Sequence, residues 1–375
     1  MPSKTSVHIR SPWPPHARLA QVAVKDLSYS FMLMESGTAS FELPTSDPNL
    51  ADYAHLFQVG MMISIERNDG LMPWVGWLSA EDGVSGGGAA AFDAEDHIGV
   101  LFEKARNAKS QTENLLGAAE HIRRAVASAN RQGHPPLLIG LDLNEGGPLI
   151  AYTPQAEYLD DLLRRMSEAS GWEWGLRFEV TEGRALTTLE WRKRRGLDLS
   201  AAVIWEEGKH FEQARYRRKA SAFISSTLAV GGTGNFRTRQ AVTNVRAAAD
   251  DDAIGLRPAP EPVTDEQPFP SLQGTRVMIF PNVSNDDALA ASAQREQDSP
   301  EHVREQVSFS LVEDAINLTS PPAPGDVVTV RFSDILTGAA VTRQVRLLGL
   351  QLNPEKGTID VECKVERKEV AGAKA

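Results

Sequence analysis

The chain has 375 residues, of which 41% are hydrophobic and 24% charged, so it is long enough for two or three packed globular domains. Its 50 acidic and 39 basic residues give a formal net charge of -11, which argues against a surface built to hold nucleic acid tightly. The single cysteine, Cys363, excludes an internal disulfide, and no apolar run is long enough to predict a signal peptide or a membrane span. Synthesis and assembly in the cytoplasm are expected.

The first hundred residues have the pattern of a β domain. Short alternating or apolar segments run from Leu19 to about Val100 and are separated by turn residues. In "MMISIERNDGLMPWVGWL", the residues Asn68, Asp69 and Gly70 form the expected turn, because all three tolerate a positive φ. This region is predicted to be a small β-barrel or sandwich.

Two amphipathic helices are expected next. The first, within "SQTENLLGAAEHIRRAVASANRQG", is bounded by Thr112 as a candidate N-cap and Gly133 as its end. Its apolar stripe consists of Leu115, Ala119, Ile122, Val126 and Ala129. The second, within "TPQAEYLDDLLRRMSEASGW", has Thr153 as a cap, Pro154 at the first helical position and Gly171 at its end. Its stripe consists of Leu159, Leu162, Leu163 and Met166.

The remaining chain returns to strands around one unusual segment. "WEWGLRFEVTEGRALTTLEWRKRR" predicts two strands joined at Glu182 and Gly183, and a further strand set leads to the glycine cluster "VGGTGNF". Between Arg237 and Ser271 the composition shifts to Asp, Glu and Pro, which predicts an exposed excursion or linker. A helix within "NDDALAASAQREQ" then precedes the last strands, from about residue 306 to 365.

One β unit occurs twice in the sequence. In "VGMMISIERNDGLMPWVGWLSAEDG", residues 59–83, and again in "PGDVVTVRFSDILTGAAVTRQVRLLGLQL", residues 324–352, a glycine (Gly60, Gly325) precedes an alternating strand, a turn and a return strand. Any β-barrel contains such hairpins, so the similarity has an ordinary explanation. Alternatively it marks an internally duplicated barrel, which would allow three subunits to present six similar units to a hexameric ring.

Catalytic and metal-binding patterns are sparse, and the sequence predicts no catalytic, cofactor-binding or metal-binding residue. The histidines show no metal-ligand spacing; they are His8, His16, His55, His97, His121, His134, His210 and His302. The glycine-rich "VSGGGAAAF" and "VGGTGNF" lack the residues of a phosphate loop. A cluster of carboxylates could in principle act as acid and base in glycoside cleavage, although a solvated surface is the simpler interpretation; it comprises Glu81, Asp82, Asp93, Glu95 and Asp96.

Two basic runs could contact nucleic acid, with Trp191 and Tyr216 available for stacking. They are "EWRKRRG" at residues 190–196 and "ARYRRKA" at residues 214–220. In an acidic protein, we favour pairing with acidic surfaces of neighbouring subunits, or exposure to solvent. The tryptophans Trp172, Trp174 and Trp205 are candidates for either cores or interfaces.

Taken in order, these segments resemble bacteriophage tail hub proteins, of the baseplate hub or tail-tip hub type. The segment "GTASFELPTSDPNLADYAHLFQVGMMISIERNDGLMPWVGWL" looks like the first barrel of that family, and "AAVIWEEGKHFEQARYRRKASAFISSTLAVGGTG" looks like the strand pair that opens the second. "PGDVVTVRFSDILTGAAVTRQVRLLGLQLNPEKGTIDVECKVE" resembles the part that closes it. The resemblance extends from about Ser30 to Glu366 and rests on the order of the pieces.

The resemblance implies an α+β fold that is mainly β, with two related tube-type antiparallel β-barrels and an intervening mixed α/β domain. The first barrel would comprise residues 1–100, the mixed domain 101–198, and the second barrel 199–235 and 303–375. Residues 236–302 would form an acidic, proline-rich excursion and a helix inserted in the second barrel. The long acidic stretch departs from the family pattern.

For function, the resemblance implies a virion structural protein without enzymatic activity or cofactor. Such a hub is a homotrimer whose barrels form a pseudo-sixfold ring that continues the tail tube. Its expected partners are a distal tail protein, a tape-measure protein and a central fibre or spike protein. DNA would pass through the lumen during ejection and host cell entry without specific binding.

Two alternatives from other classes stay open. A β-rich cell-wall hydrolase at the tail tip would use Glu81, Asp82 and Asp96 as its first candidate residues. A carbohydrate-binding module would need exposed aromatic side chains on one face of a sheet. A hub in a contractile injection particle or gene-transfer particle is a variant of the main hypothesis.

Overall fold

The structure is a computed structural model, and it describes most of the strand-forming regions of the chain. The described residues are 5–44, 46–68, 71–83, 89–99, 114–131, 138–139, 149–152, 159–218, 226–231, 241–246, 275–280, 305–316, 321–333 and 338–366. The segment "NDDALAASAQREQ" and the acidic segment between Arg237 and Ser271, apart from its residues 241–246, lie outside these residues. The candidate caps Thr112, Gly133, Thr153 and Pro154 do so as well.

The N-terminal region is formed by antiparallel strands, as the sequence pattern predicts. Its seven strands are β1 (Thr5–Arg10), β2 (Arg18–Val22), β3 (Lys25–Met32), β4 (Thr38–Pro44), β5 (Met62–Arg67), β6 (Trp74–Gly83) and β7 (Ala89–Asp96). Alternate residues are buried in β3 and β4, whereas β1 and β5 each contain four consecutive buried residues. A short helix, α1 (Leu50–Tyr53), and a 3₁₀ turn (Ala54–Leu56) connect β4 to β5.

The middle region combines helices with short strands. Its elements are β8 (Asn114–Gly117), α2 (Ala118–Arg131), β9 (Leu138–Ile139), β10 (Leu149–Tyr152), α3 (Leu159–Ser170), β11 (Glu173–Thr181) and β12 (Arg184–Arg192). Helices α2 and α3 pack against each other. Their apolar stripes are buried as expected, through Ala119, Ile122 and Val126 in one helix and Leu162, Leu163 and Met166 in the other.

One boundary in this region was predicted wrongly. Residue 115 was assigned to the first helix, but the backbone from Asn114 to Gly117 is a strand that pairs with Leu149–Tyr152, and the helix begins at Ala118. An apolar pair such as Leu115 and Leu116 fits a short strand as well as a helical turn, so the pairing partner decides. The second helix ends at Ser170 as predicted, where Gly171 takes a φ of 72°.

The C-terminal region is again mainly β. Its strands are β13 (Ile204–Glu206), β14 (Phe211–Arg218), β15 (Ser226–Gly231), β16 (Ala241–Arg246), β17 (Thr275–Phe280), β18 (Glu305–Val312), β19 (Val327–Ser333), β20 (Ala340–Asn353) and β21 (Thr358–Val365). A 3₁₀ turn (Glu313–Ile316) follows β18. None of the helices in the described ranges has the length and apolar character needed to cross a membrane.

A single large sheet joins the N-terminal and C-terminal strands. Among the described residues it has 13 strands in the order β14-β18-β21-β20-β3-β4-β7-β6-β5-β1-β2, with β19 also paired to β20 and β13 paired to β19. All of these pairs are antiparallel except β13 with β19. The fold is therefore mainly β, as expected, and the strand pairings of the described residues do not close either half into a barrel.

The described ranges also contain three smaller sheets outside the large one. Strand β8 pairs with β10, and β12 pairs with both β11 and β9. Strand β15 pairs with β16 and β17 in a sheet of its own, whereas residues 226–231 were expected among the strands of the second barrel. Strands β16 and β17 fall within the range predicted as an excursion. The boundaries of the four domains remain predictions.

Candidate assembly interface

Five strands of the large sheet occur twice in the same order. The first copy consists of β5-β6-β7-β4-β3 and the second of β19-β20-β21-β18-β14, each with neighbours paired antiparallel. The connectivity is similar, since a strand pair (β3 with β4, β14 with β18) is followed by a three-strand meander, although β15, β16 and β17 lie between the two strands of the second pair. The copies differ at the strand beside them, because β1 is antiparallel to β5 whereas β13 is parallel to β19.

The two copies match in register as well as in order. The pairing of β6 with β7 shifts between Leu78 and Ala80, and that of β20 with β21 shifts between Leu347 and Gly349. Counting from these bulges aligns Ser40, Phe41 and Leu43 of β4 with Ser308, Phe309 and Leu311 of β18. It also aligns Tyr29 with Tyr216, and both of the strand pairs that contain them carry a further bulge. Bulges at matching positions specify the same local bend and twist.

A left-handed glycine begins the meander in both copies. Gly60 has a φ of 94° and Gly325 a φ of 104°, values that side-chain-bearing residues rarely adopt. The Gly60 N–H donates to the Leu78 carbonyl and the Gly325 N–H to the Leu347 carbonyl, each at 2.8 Å. The β unit that the sequence repeats around these glycines is therefore also a repeat of backbone geometry.

The two copies meet edge to edge. Strand β20 of the second copy pairs antiparallel with β3 of the first, so that Leu350 lies opposite Phe31 and Gln351 opposite Ser30. Leu350 and Phe31 are both buried, and together they extend the core across the junction. The junction is head to tail, because one copy contributes its β20 edge and the other its β3 edge.

Two buried arginines tie the β11–β12 hairpin to the sheet. The Arg346 guanidinium, on β20, donates two hydrogen bonds to the Glu173 carboxylate, at 2.7 and 2.5 Å, and one to each of the Gly325 and Arg195 carbonyls. Burial alone would raise the pKa of Glu173, but the hydrogen bonds and charge of Arg346 outweigh burial, so the pKa lies below its ordinary value. This pair fixes one end of the hairpin against the second copy.

The other end of the hairpin is fixed beside the first copy. Arg10 is fully buried and donates to the Ser64 hydroxyl, the Glu66 carboxylate, and the backbone carbonyls of His16 and Thr181. Burial opposes ionisation of Glu66, but the hydrogen bond from Arg10 helps to hold its pKa below the ordinary value. Neither arginine cluster was anticipated from the sequence.

The carboxylates considered for catalysis do not form one site. Glu81, Asp82 and Asp93 are exposed, whereas Asp96 is buried. The Asp96 carboxylate accepts hydrogen bonds from three backbone N–H groups and one hydroxyl; the donors are Gly37 at 2.5 Å, Ile98 at 2.8 Å, Gly99 at 3.4 Å and Ser36 at 2.9 Å. Asp96 therefore orders the loops at the end of β7, apart from the exposed end of β6 that carries Glu81 and Asp82.

The buried Asp96 predicts an unusual dependence of stability on pH. Burial raises its pKa from 3.8 to about 6, despite the opposing hydrogen bonds. A raised pKa stabilises the fold below 3.8, and that contribution is lost as the pH rises through 6. Relative to Asp96→Asn, the wild-type protein should therefore lose up to about 3 kcal/mol between about pH 4 and pH 7. Urea unfolding of both proteins at the two pH values measures this difference, and a constant difference would contradict the prediction.

The two basic runs have different environments. In the first, Arg192 and Arg195 pair with Glu190 and Arg194 pairs with Glu366, while the Arg192 and Arg194 side chains stay about half exposed. In the second, Arg215 and Arg217 are exposed on β14.

The tryptophans divide clearly between core and surface. Six of the seven are buried, and Trp13 is 71% exposed. Those considered as interface anchors, Trp172, Trp174 and Trp205, belong to the core. Within the described ranges, no group of three or more His, Cys, Asp and Glu residues is placed to hold a metal ion.

No protein-family model matches the chain, and no curated protein matches its sequence. Solved structures do match nearly its full length. The 43 kDa tail protein of prophage MuSo2 from Shewanella oneidensis is 12% identical with a TM-score of 0.62, and 97% of this chain and 98% of that one are covered. The tail protein from Neisseria meningitidis MC58 is also 12% identical, with a TM-score of 0.59 and 96% of each chain covered.

A type VI secretion component from Escherichia coli is 10% identical with a TM-score of 0.51, and 96% of this chain and 77% of that one are covered. It is described as structurally similar to the bacteriophage T4 tail proteins gp27 and gp5. At these identities the comparisons establish the fold, and they agree with the resemblance seen in the order of the sequence segments. The chain has the fold of these prophage tail proteins.

Proposed function

We propose that the protein is the structural hub of a phage tail tip or baseplate, where it acts as a homotrimer. The observation that carries this proposal is the second copy of the five-strand unit, matched in strand order, bulges and entry glycine. A duplicated unit that meets its twin head to tail is suited to a ring, since a heterologous contact repeated by rotation closes into a ring when the rotation angle divides a full turn. Three subunits would supply six units to that ring.

Such a ring resolves a symmetry mismatch. A hexameric tail tube presents the same surface six times, whereas a central fibre or spike commonly has fewer copies, so an intermediate with both threefold and pseudo-sixfold symmetry can contact each of them. The partners proposed here are a distal tail protein and a tape-measure protein on one side, and the fibre or spike protein on the other. The similarity of fold to prophage tail proteins supports this location in the virion.

The ring would also form part of the conduit through which DNA is ejected. In this proposal the two copies are tube-type barrels, completed in the assembled ring and lining one lumen. The formal charge of -11 favours passage over binding, because a protein of net negative charge repels phosphates. Assembly would take place in the host cytoplasm.

The oligomeric state tests the proposal directly. Light scattering coupled to size-exclusion chromatography should give the mass of a trimer, and averaged electron micrographs should show a ring with six similar lobes. A protein that stays monomeric at its highest soluble concentration would contradict the hub proposal. A compact trimer without sixfold modulation would contradict the pseudo-sixfold ring.

We also propose that the hub has no enzymatic activity of its own. Asp96 is engaged by backbone amides, and Glu81 and Asp82 lie on the exposed end of a strand, so the three carboxylates offer little support for a hydrolase. The protein should leave the turbidity of a peptidoglycan suspension unchanged. Clearing of the suspension that is abolished by Glu81→Gln and Asp82→Asn would establish the hydrolase instead.

A further inference from the structure

Each copy of the duplicated unit has two strand edges that can pair with another copy. Within the chain, one edge of the first copy pairs with the opposite edge of the second copy. In the internal junction, the β20 edge of the second copy, beyond Leu348, is paired with the β3 edge of the first copy. The equivalent edges are the β6 edge of the first copy, Ser79–Gly83, and the β14 edge of the second, Ala214–Arg218. Among the described residues, neither of these has a partner strand on that side.

We propose that the β6 edge of one subunit pairs with the β14 edge of the next subunit, in the antiparallel register of the internal junction. The proposal rests on the hub function, since it names the contact by which copies of this chain would form the ring. Unpaired strand edges present free N–H and C=O groups, which makes them templates for pairing with another chain. Here the chain itself contains the template for the geometry.

The register of the internal junction fixes which residues would face each other. Leu350 and Gln351 on β20 are equivalent to Glu81 and Asp82 on β6, because both pairs follow the same bulge at the same distance. Phe31 and Ser30 on β3 are equivalent to positions 218 and 217 on β14, because Tyr29 aligns with Tyr216. Glu81 would therefore lie opposite Arg218, and Asp82 opposite Arg217.

The charges at these positions are complementary. Asp82, Glu81 and Arg217 are exposed, and within the described part of the chain none of the three forms an ion pair. Opposite charges directly across an antiparallel pair are favourable, whereas like charges are unfavourable. The internal junction pairs Leu350 with Phe31 and Gln351 with Ser30. The contact between subunits would have two pairs of opposite charge at the equivalent positions.

The same charges select the direction of assembly. An acidic β6 edge repels another β6 edge, and a basic β14 edge repels another β14 edge, so that pairing of two identical edges is disfavoured. Only the head-to-tail contact satisfies both edges. A heterologous contact of this kind is what ring closure requires, whereas a self-complementary contact would stop at a dimer.

Charge reversal tests the pairing energetically. Asp82→Lys and Arg217→Glu should each weaken self-association about tenfold, because an attractive cross-strand pair becomes a repulsive one. The double variant should recover most of the affinity, since the opposite charges are restored with their positions exchanged. Glu362→Lys is the matched control, because it changes an exposed carboxylate on the interior strand β21 and should leave association unchanged.

A cross-link tests the register itself. The only native cysteine, Cys363, is buried, so an engineered pair can be followed against a low background. In the double variant Asp82→Cys/Arg217→Cys, oxidation should give covalent dimers and trimers on a non-reducing gel, since residues directly opposite are close enough for a disulfide. Asp82→Cys/Arg215→Cys, displaced by two residues on the same strand, should cross-link poorly.

The outcomes separate this inference from the function on which it rests. A trimer that forms normally, ignores both charge reversals and fails to cross-link at 82 and 217 would overturn the strand pairing and leave the hub intact. A wild-type protein that is monomeric at all concentrations, together with no cross-link, would overturn both. Equal cross-linking by the 82–217 and 82–215 pairs would overturn the proposed register.

Discussion

Replacing Glu173 by alanine is expected to lower the free energy of unfolding by about 3–5 kcal/mol, the typical cost of removing one partner from a buried ion pair. The Arg346 side chain is 6% exposed and the Glu173 side chain 16% exposed, so the guanidinium left behind has little access to water. Its remaining partners are backbone carbonyls of Gly325 and Arg195, which carry no full negative charge. Urea unfolding followed by circular dichroism measures the loss.

A control for this experiment lies on the same strand. Glu179 pairs with Arg177, but both side chains are 52% exposed, so Glu179→Ala should change stability by less than about 0.5 kcal/mol. A Glu173→Ala protein that loses no more than the Glu179→Ala protein would show that the Arg346 cluster does not hold the hairpin against the sheet.

The pH dependence provides a second measurement of the same pair. Because the folded-state pKa of Glu173 lies below its ordinary value of 4.5, its contribution is present above pH 4.5 and is lost as the pH falls through the folded-state pKa. The stability difference between wild type and Glu173→Ala should therefore shrink as the pH falls below 4.5. A difference that stays constant through acid pH would argue against an ionised carboxylate at this position.

Gly196→Ala is expected to destabilise the protein by about 3–5 kcal/mol, since it adds overpacking to backbone strain. Gly196 has a φ of 91°, and a Cβ atom there would lie 2.0 Å from the Gly325 carbonyl oxygen and 2.1 Å from its carbonyl carbon. These are backbone atoms of the glycine that begins the second meander, so they cannot move aside without disturbing its hydrogen bond to Leu347.

Gly60→Ala separates the two contributions. Gly60 has a similar φ of 94°, but no atom of the described residues lies within 4 Å of its ideal Cβ position, so this variant should lose only about 1–2 kcal/mol from backbone strain. Thermal unfolding of both variants gives the comparison. Equal losses would mean that the backbone yields at residue 325 and that the close approach there is not a constraint.

The sequence alone was sufficient to predict several of the regular elements and to suggest a duplication. Alternation of apolar residues is a local property of a strand with one buried face, which is why β4 and the β11–β12 hairpin could be predicted. The glycines at 60 and 325 were informative because a left-handed backbone conformation restricts which residue can occupy the position. The order of such segments was enough to suggest the tail-protein fold.

The candidate interface was only partly visible in the sequence. Glu81 and Asp82 were noticed as possible catalytic acids, and the run around Arg217 as a possible nucleic-acid contact. The proposed pairing of these acidic and basic residues depends on their equivalence with residues 350 and 351 of β20 and with residues 30 and 31 of β3. Those four residues are paired across the internal junction. No spacing in the sequence indicates which strand edges remain unpaired.

Tertiary structure alone decided which charges are buried and which short segments pair. Arg10 and Arg346 look like ordinary polar positions within strands, yet both are buried, because the β11–β12 hairpin covers them and supplies Thr181 and Glu173 as partners. Residues 114–117 became a strand because residues 149–152 were available to pair with them. Local pattern specifies the conformations that a segment can adopt, whereas burial and pairing depend on groups distant in the chain, and only the folded structure brings those groups together.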